Sequence, residues 1–288
     1  MATTVADPAA LAAVPLPAPP RTPAGRALRT LAARRTALTA HNPRQIAVPH
    51  GGPALLAHVV APALKVATGG LNSHLDYTSF VGVGAVGLVV PLSCIFAGLS
   101  VIVDRHSGAQ RELLAAPIPR AFLVLGNLIV ALALAALQVA VLIGLSALRG
   151  GDFHITGAGA AWFVAAAVLF TVFMYSLAET LASKVSKQED YVGAVPAVAV
   201  LPFFLAGALF PIGAMPGALT AIAKVMPLTH ALALLRYGVA DPHGSGLHDI
   251  WGMSNVTVEA WLSLGVVALF AAALVAIAIR SFTRSAVH

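Results

Sequence analysis

Charge is scarce in this chain. Only 10% of its 288 residues are Asp, Glu, Lys or Arg, against the quarter or so found in soluble globular domains. Cysteine is scarcer still: with Cys94 alone, neither an intrachain disulfide nor a cysteine-based metal framework can form. There are four lysines, at 65, 184, 187 and 224, and none follows a glycine. The Gly-x-x-x-x-Gly-Lys-Ser/Thr loop that cradles nucleotide phosphates is therefore missing. Neither His-Glu-x-x-His nor Gly-x-Ser-x-Gly occurs, which removes the common signatures of an intramembrane protease or lipid-modifying enzyme. Histidine does not supply a metal site either, because His243 and His248 share a loop with Asp241 and Asp249 at no spacing that fixes ligands. No catalytic, cofactor-binding or metal-binding residue is expected.

What fills the chain is apolar sequence. Hydrophobic residues make up 59% and the mean hydropathy is +0.88, clustered in runs near the roughly 20 residues that cross about 30 Å of hydrocarbon. The expected fold is an all-α integral membrane protein with six transmembrane helices, at about 53–70, 81–103, 121–148, 158–182, 190–210 and 258–280. The first is the weakest, interrupted by His58, Pro62 and Lys65. Residues 1–50 form a separate region: a cytoplasmic tail broken by prolines 15, 17, 19 and 20, then a basic stretch, with the membrane domain occupying 51–288. Between spans five and six, Pro211 to Gly238 is apolar but cut by Pro216 and Pro227 into pieces of about 214–226 and 228–238, too short to cross alone. They read as an outer re-entrant segment, with a seventh span at 217–240 as the alternative.

The net charge of +6 and pI near 10 would suit nucleic acid, but the basic residues flank apolar runs and are not interleaved with aromatics. They instead set topology. Thirteen of the 17 fall on the side of the N-terminus, leaving Lys65, Arg149, Lys224 and Arg236 on the other, so both termini are expected in the cytoplasm of a multi-pass cell-membrane protein.

Two segments stand out. In Asp104 to Arg120, Ser107 and Gln110 have capping-box spacing and Pro117 ends the helix they would start. The expected short helix, 108–116, sets Arg111 and Glu112 beside Leu113 and Leu114, which suits either docking on a soluble partner or a solvated connector. In Arg26 to Leu38, Leu28, Leu31 and Leu38 share a face opposite Arg26 and Arg29, although Arg35 falls on the apolar side. This is an imperfect basic amphipathic helix for the anionic leaflet, or a basic tail that only sets topology. Candidate pathway groups are His58, Gln138 and Glu179, polar residues within spans, and Phe203 and Phe204 near the outer end of span five. Helix packing or an interfacial pairing of Glu179 near Lys184 accounts for the same residues.

The stretch from Gly82 to Arg120 resembles the type-2 ABC transporter permeases, whose second span leads into an Asp/Glu-Arg-x-x-Gly-x-x-Arg/Glu-x-Leu-Leu segment and a proline-rich turn. Asp104, Arg105, Gly108, Arg111, Glu112, Leu113 and Leu114 take those places, with His106 where an acidic residue is common. Leu205 to Pro211, Met215-Pro216, Pro227-Leu-Thr-His230 and Leu234-Leu-Arg236 are similar to the same family's later series, closest to its daunorubicin-resistance, drug-exporter branch. The resemblance implies a six-span permease subunit that dimerises with a second copy or a paralogue. It also implies a coupling helix at 108–116 against a separate ABC ATP-binding subunit, which would carry the ATP and Mg, and export of a hydrophobic or amphipathic drug-like or lipid-like substrate. The competing expectation is an ion-driven secondary transporter, which requires buried acidic groups near the midplane and an internal repeat.

Overall fold

The computed structural model describes residues 23–41, 43–55, 59, 62–63, 76–116 and 118–285. Among these residues every regular element is helical, as hydrocarbon requires of a chain that must satisfy its own backbone groups. α1 (Ala24–Ala40) and α2 (Pro43–Leu55) lead to α3 (Tyr77–Gly84) and α4 (Val86–His106). A short α5 (Ala109–Ala115) then joins α4 to α6 (Ala121–Leu148), and α7 (Gly157–Lys184) returns. α3 and α4 together make one apolar path of 30 residues, started by the Asp76 carboxylate, which accepts the Thr78 and Ser79 amides.

Among the described residues, four helices are long and apolar enough to cross a membrane: Tyr77–His106, Ala121–Leu148, Gly157–Lys184 and Val256–Thr283 of α13 (Val256–Ser285). The first expected span, 53–70, with His58 and Lys65, lies mostly outside the described residues. The fifth, 190–210, is not one helix. It is built of α8 (Gln188–Gly193), a π-helical turn Pro196–Val200 and α9 (Leu201–Leu205). Pro196 and Pro202 lack the amide that an unbroken helix needs there. Beyond it, α10 (Gly217–Val225) and α11 (Pro227–Val239) meet at 82° and count as a fifth candidate only if taken as one bent span. α12 (Ser245–Trp251) then leads into α13.

α7 is the hub, packed on α4, α11 and α13. The α3–α4 path is 67% buried in its most apolar window, whereas α13 is only 22% buried, so α3–α4 forms the interior and α13 turns most of its surface outward. With lipid as apolar as leucine, such packing depends on close approach. A side chain on Gly84 would run into the Ala208 carbonyl, and Gly159 and Gly238 face each other backbone to backbone.

The N-terminal helix forms as expected, but its buried stripe is Ala27, Arg35 and Thr39, with Leu31 packed beside it and Leu38 exposed. It leans on α6, where Gly126 receives Leu31. The leucine face predicted for the leaflet is thus corrected: the misfit Arg35 marks the side that faces protein.

Candidate functional site

The segment that links α4 to α6 is organised by glycine and arginine. Ser107 does not start a capping box with Gln110. It closes α4 instead, donating its hydroxyl to the Asp104 carbonyl at 3.2 Å. Gly108, at φ 82°, turns the chain in the left-handed region that glycine tolerates, and α5 begins immediately after it with no side-chain cap. On α5, Arg111 and Glu112 are exposed, while Leu113 and Leu114 are half-buried against the core.

The charged residues that precede and follow α5 point back into the membrane helices. Arg105 donates to the Ala182 carbonyl at 3.3 Å and the Val185 carbonyl at 2.6 Å, and a His106 ring nitrogen lies 3.0 Å from the Ser186 carbonyl. These are the last carbonyls of α7 and its exit, where orphan acceptors and the negative end of the helix dipole favour a cation. Arg120 does the same for α13, donating to the Thr283 carbonyl at 3.1 Å. Asp104 faces α1, 3.7 Å from both Arg34 and Arg35. Arg35 is buried and also donates to the Ala97 carbonyl of α4 at 3.1 Å. Four arginines thus tie α1 and the ends of α7 and α13 to the two borders of α5. Sequence reasoning had set Arg35 aside as a flaw and had given Arg120 no contact. The available signal was a charge on an apolar face, which demands a partner.

Of the candidate pathway residues, His58 lies outside the described residues, while Gln138, Glu179 and the Phe203–Phe204 pair have separate partners. Gln138 is buried on the α4–α6 seam, where its Oε1 accepts the Ser93 hydroxyl at 2.5 Å and its Nε2 has no hydrogen-bond partner among the described residues. Glu179 is buried rather than paired with the exposed Lys184. One of its oxygens accepts the Tyr175 hydroxyl at 2.8 Å, and the other has no hydrogen-bond partner among the described residues. Phe203 is buried and Phe204 is 46% exposed, their rings 5.3 Å apart. Tyr191, which the sequence did not single out, donates to the Ile95 carbonyl at 3.0 Å and lies 3.3 Å from the Ala178 carbonyl, holding the start of the broken segment against α4 and α7.

At the opposite end a different arginine gathers the chain. Arg236 of α11 is buried and donates to the carbonyls of Gly207 at 2.9 Å, Ala208 at 2.9 Å and Phe80 at 3.3 Å. Its guanidinium carbon stacks 3.5 Å from the Phe80 ring centroid. The 82° bend is pinned by His230. Its Nε2 donates to the Lys224 carbonyl at 2.9 Å, which leaves Nδ1 to accept from the Ser263 hydroxyl at 3.1 Å, while that hydroxyl accepts from the Trp251 indole at 2.8 Å. With every polar atom engaged, His230 serves packing. Outside the membrane helices two carboxylates move oppositely. Burial raises the Asp249 carboxyl above its usual range, although the Gly213 amide opposes this. Burial also acts to raise Asp76, but the amides of Asp152, Ser79 and Thr78 and the Ser79 hydroxyl together hold it below the usual range.

No group of three or more metal-ligating side chains occurs among the described residues. No curated protein matches the chain at a significant level. The matched family spans residues 26–239, from the arginine-bearing α1 through α5 to the end of α11. The chain belongs to the ABC-2 type transporter family, and as an ABC-type permease it is a membrane transport component of a class that works with an ATP-binding subunit.

Proposed function

We propose that the protein is the membrane-spanning subunit of an ATP-driven exporter that moves a hydrophobic or amphipathic molecule of drug-like or lipid-like character out of the cell, as in the daunorubicin-resistance branch. In this reading six spans cross the cell membrane with both termini cytoplasmic. The segment α8 to α9 is a broken fifth span, and α10–α11 is an outer re-entrant hairpin. A second copy or paralogue completes the path, and a separate ABC subunit binds ATP and Mg.

One observation supports this most directly. α5 turns Arg111 and Glu112 outward, while Arg105 and Arg120 on either side of it grip the ends of α7 and α13. A push on α5 by a closing ATPase would reach both membrane helices through these carbonyl contacts, with Asp104 carrying it to α1. The test is a gentle-detergent pull-down of tagged protein from its native membrane with a nucleotide hydrolysis assay. A stoichiometric ATPase is expected with the wild type. The double variant Arg111→Ala/Glu112→Ala is expected to insert normally, since exposed substitutions shift stability by about 0.5 kcal/mol or less, yet to lose the ATPase and transport. Retention of both would defeat the docking assignment.

Glu179, buried with one oxygen lacking a hydrogen-bond partner among the described residues, is the observation that favours an ion-driven transporter instead. Transport that collapses with the proton gradient while ATP is held constant, and that Glu179→Gln abolishes, would replace the first reading with this one.

A further inference from the structure

α6 is 28 residues long, about 42 Å at the helical rise, and Gln138 lies about 26 Å along it. That sets its amide at the level of the hydrocarbon, far from either interface. Gln138 is 1% exposed. Its Oε1 accepts the Ser93 hydroxyl, and its Nε2 has no hydrogen-bond partner among the described residues. Such a donor is costly to leave unpaired where bulk water does not reach. The same side chain borders a cavity of about 20 Å³ between α1, α4 and α6. The polar part of the cavity wall is Arg35 and Thr39 of α1, Ser93 of α4, and Asn127 and Gln138 of α6.

Size and chemistry together identify the occupant. A bound water needs roughly 10–15 Å³ and a few polar partners, and this cavity supplies both. Gln138 Nε2 offers a donor to the water oxygen. Thr39 spends its proton on the Arg35 carbonyl at 3.0 Å and Ser93 spends its own on Gln138, so both hydroxyl oxygens keep lone pairs to which a water can donate. A phosphate or carboxylate is too large for the space. A metal cation is opposed by the guanidinium of Arg35, which is buried on the cavity wall and donates to the Ala97 carbonyl at 3.1 Å. A small anion would have to share that guanidinium with Asp104, 3.7 Å from it. Water also meets either orientation of the Gln138 amide, since it accepts from an NH₂ group and donates to a carbonyl oxygen equally well.

We infer that this cavity is a binding site for one ordered water molecule, which accepts from Gln138 Nε2 and links α1 to the α4–α6 seam inside the membrane. The site stands whether the exporter or the ion-driven reading of the protein holds.

The test uses the full-length chain in detergent micelles, with its glutamine side chains isotope-labelled for NMR. The glutamines are 45, 110, 138 and 188, and the signal that disappears in Gln138→Met belongs to 138. A cross-peak between water and that amide is expected, with opposite signs in the laboratory and rotating frames, which marks a water held beside the group rather than proton exchange. Ala131 also lines the cavity. Ala131→Leu, which fills it, is expected to cut the cross-peak at least about fivefold with helix content unchanged, and the smaller Ala131→Val serves if overpacking stops the leucine variant from folding. Ser93→Ala should keep the cross-peak, because its source is water and not the serine hydroxyl. A Gln138 amide without the water cross-peak would overturn the site, as would a cross-peak that vanishes in folded Ser93→Ala or persists undiminished in a folded cavity-filling variant. A Gln138 signal that shifts when chloride is exchanged for gluconate, with no water cross-peak, would assign the cavity to an anion instead.

Discussion

The two ends of the molecule use arginine in opposite ways. Around α5, Arg105 and Arg120 are half-buried and each holds only helix-end carbonyls. Arg34, at the Asp104 pair, is 36% exposed. Water can substitute for such contacts as they break, so they couple elements without locking them. Around α11, Arg236 is buried and donates to the carbonyls of Phe80, Gly207 and Ala208, and His230 closes a network with Ser263, Trp251 and Lys224. Burial strengthens these hydrogen bonds and makes losing one of their partners costly. The contrast separates a joint from a clamp, with α7 and α13, packed on each other, running between them.

The largest effect tests the clamp. Arg236→Met leaves three buried carbonyls without this donor, each costing about 1–3 kcal/mol when unsatisfied. Removing a desolvated charge recovers part of that loss. A net destabilisation of about 3 kcal/mol is expected in detergent unfolding, with Arg236→Lys in between because an ammonium cannot span the same fork. Arg105→Ala, at the joint, should cost about 1 kcal/mol yet impair transport more than stability. Equal stability losses at the two ends would erase the distinction.

A second prediction sharpens the joint itself. Asp104 is 3.7 Å from both Arg34 and Arg35, but their side chains are 36% and 7% exposed. Double-mutant cycles in detergent unfolding should give a coupling of about 1–3 kcal/mol for Arg35 with Asp104 and at most about 0.5 kcal/mol for Arg34 with Asp104. Similar couplings would mean that Arg35 is held by the Ala97 carbonyl and not by the charge.

Legibility in the sequence divides along the same line. α5 was expected at 108–116 and runs Ala109–Ala115, because glycine and proline punctuate the chain locally. α10 and α11 were read for the same reason: Pro216 and Pro227 each immediately precede or begin a helix. Burial partners were not legible. A helical wheel shows Arg35 on the wrong face but cannot supply Asp104, 69 residues further along. The apolar run 190–210 looked like one span because hydropathy counts apolar residues and overlooks what Pro196 and Pro202 do to the backbone. Glu179 looked interfacial by its distance from Lys184, whereas the fold buries it beside Tyr175. The Arg236 cage joins residues as far apart as 80 and 236, and no local pattern encodes that.

The smallest expected effect compares two carboxylates on the clamp's side. Asp76 is held below the usual carboxylate value of 3.8 by the amides it accepts. Its contribution is therefore present above that value and lost as pH falls through the lower folded value. Asp249 is raised above 3.8 by burial, so the unfolded chain gives up its proton first. Its contribution is full below 3.8 and is lost as pH rises through the higher folded value. Across the acid range the two oppose each other, and the wild type should show a shallow dependence in thermal unfolding between about pH 3 and pH 6, the span around an unperturbed aspartate. Asp249→Asn should make stability fall more steeply on acidification, since only the Asp76 loss remains. Asp76→Asn should reverse the slope, so that acid stabilises. Parallel profiles for the two variants would mean that neither carboxylate is set by the contacts described, and that the α12 side of the molecule is as open to water as the α5 side.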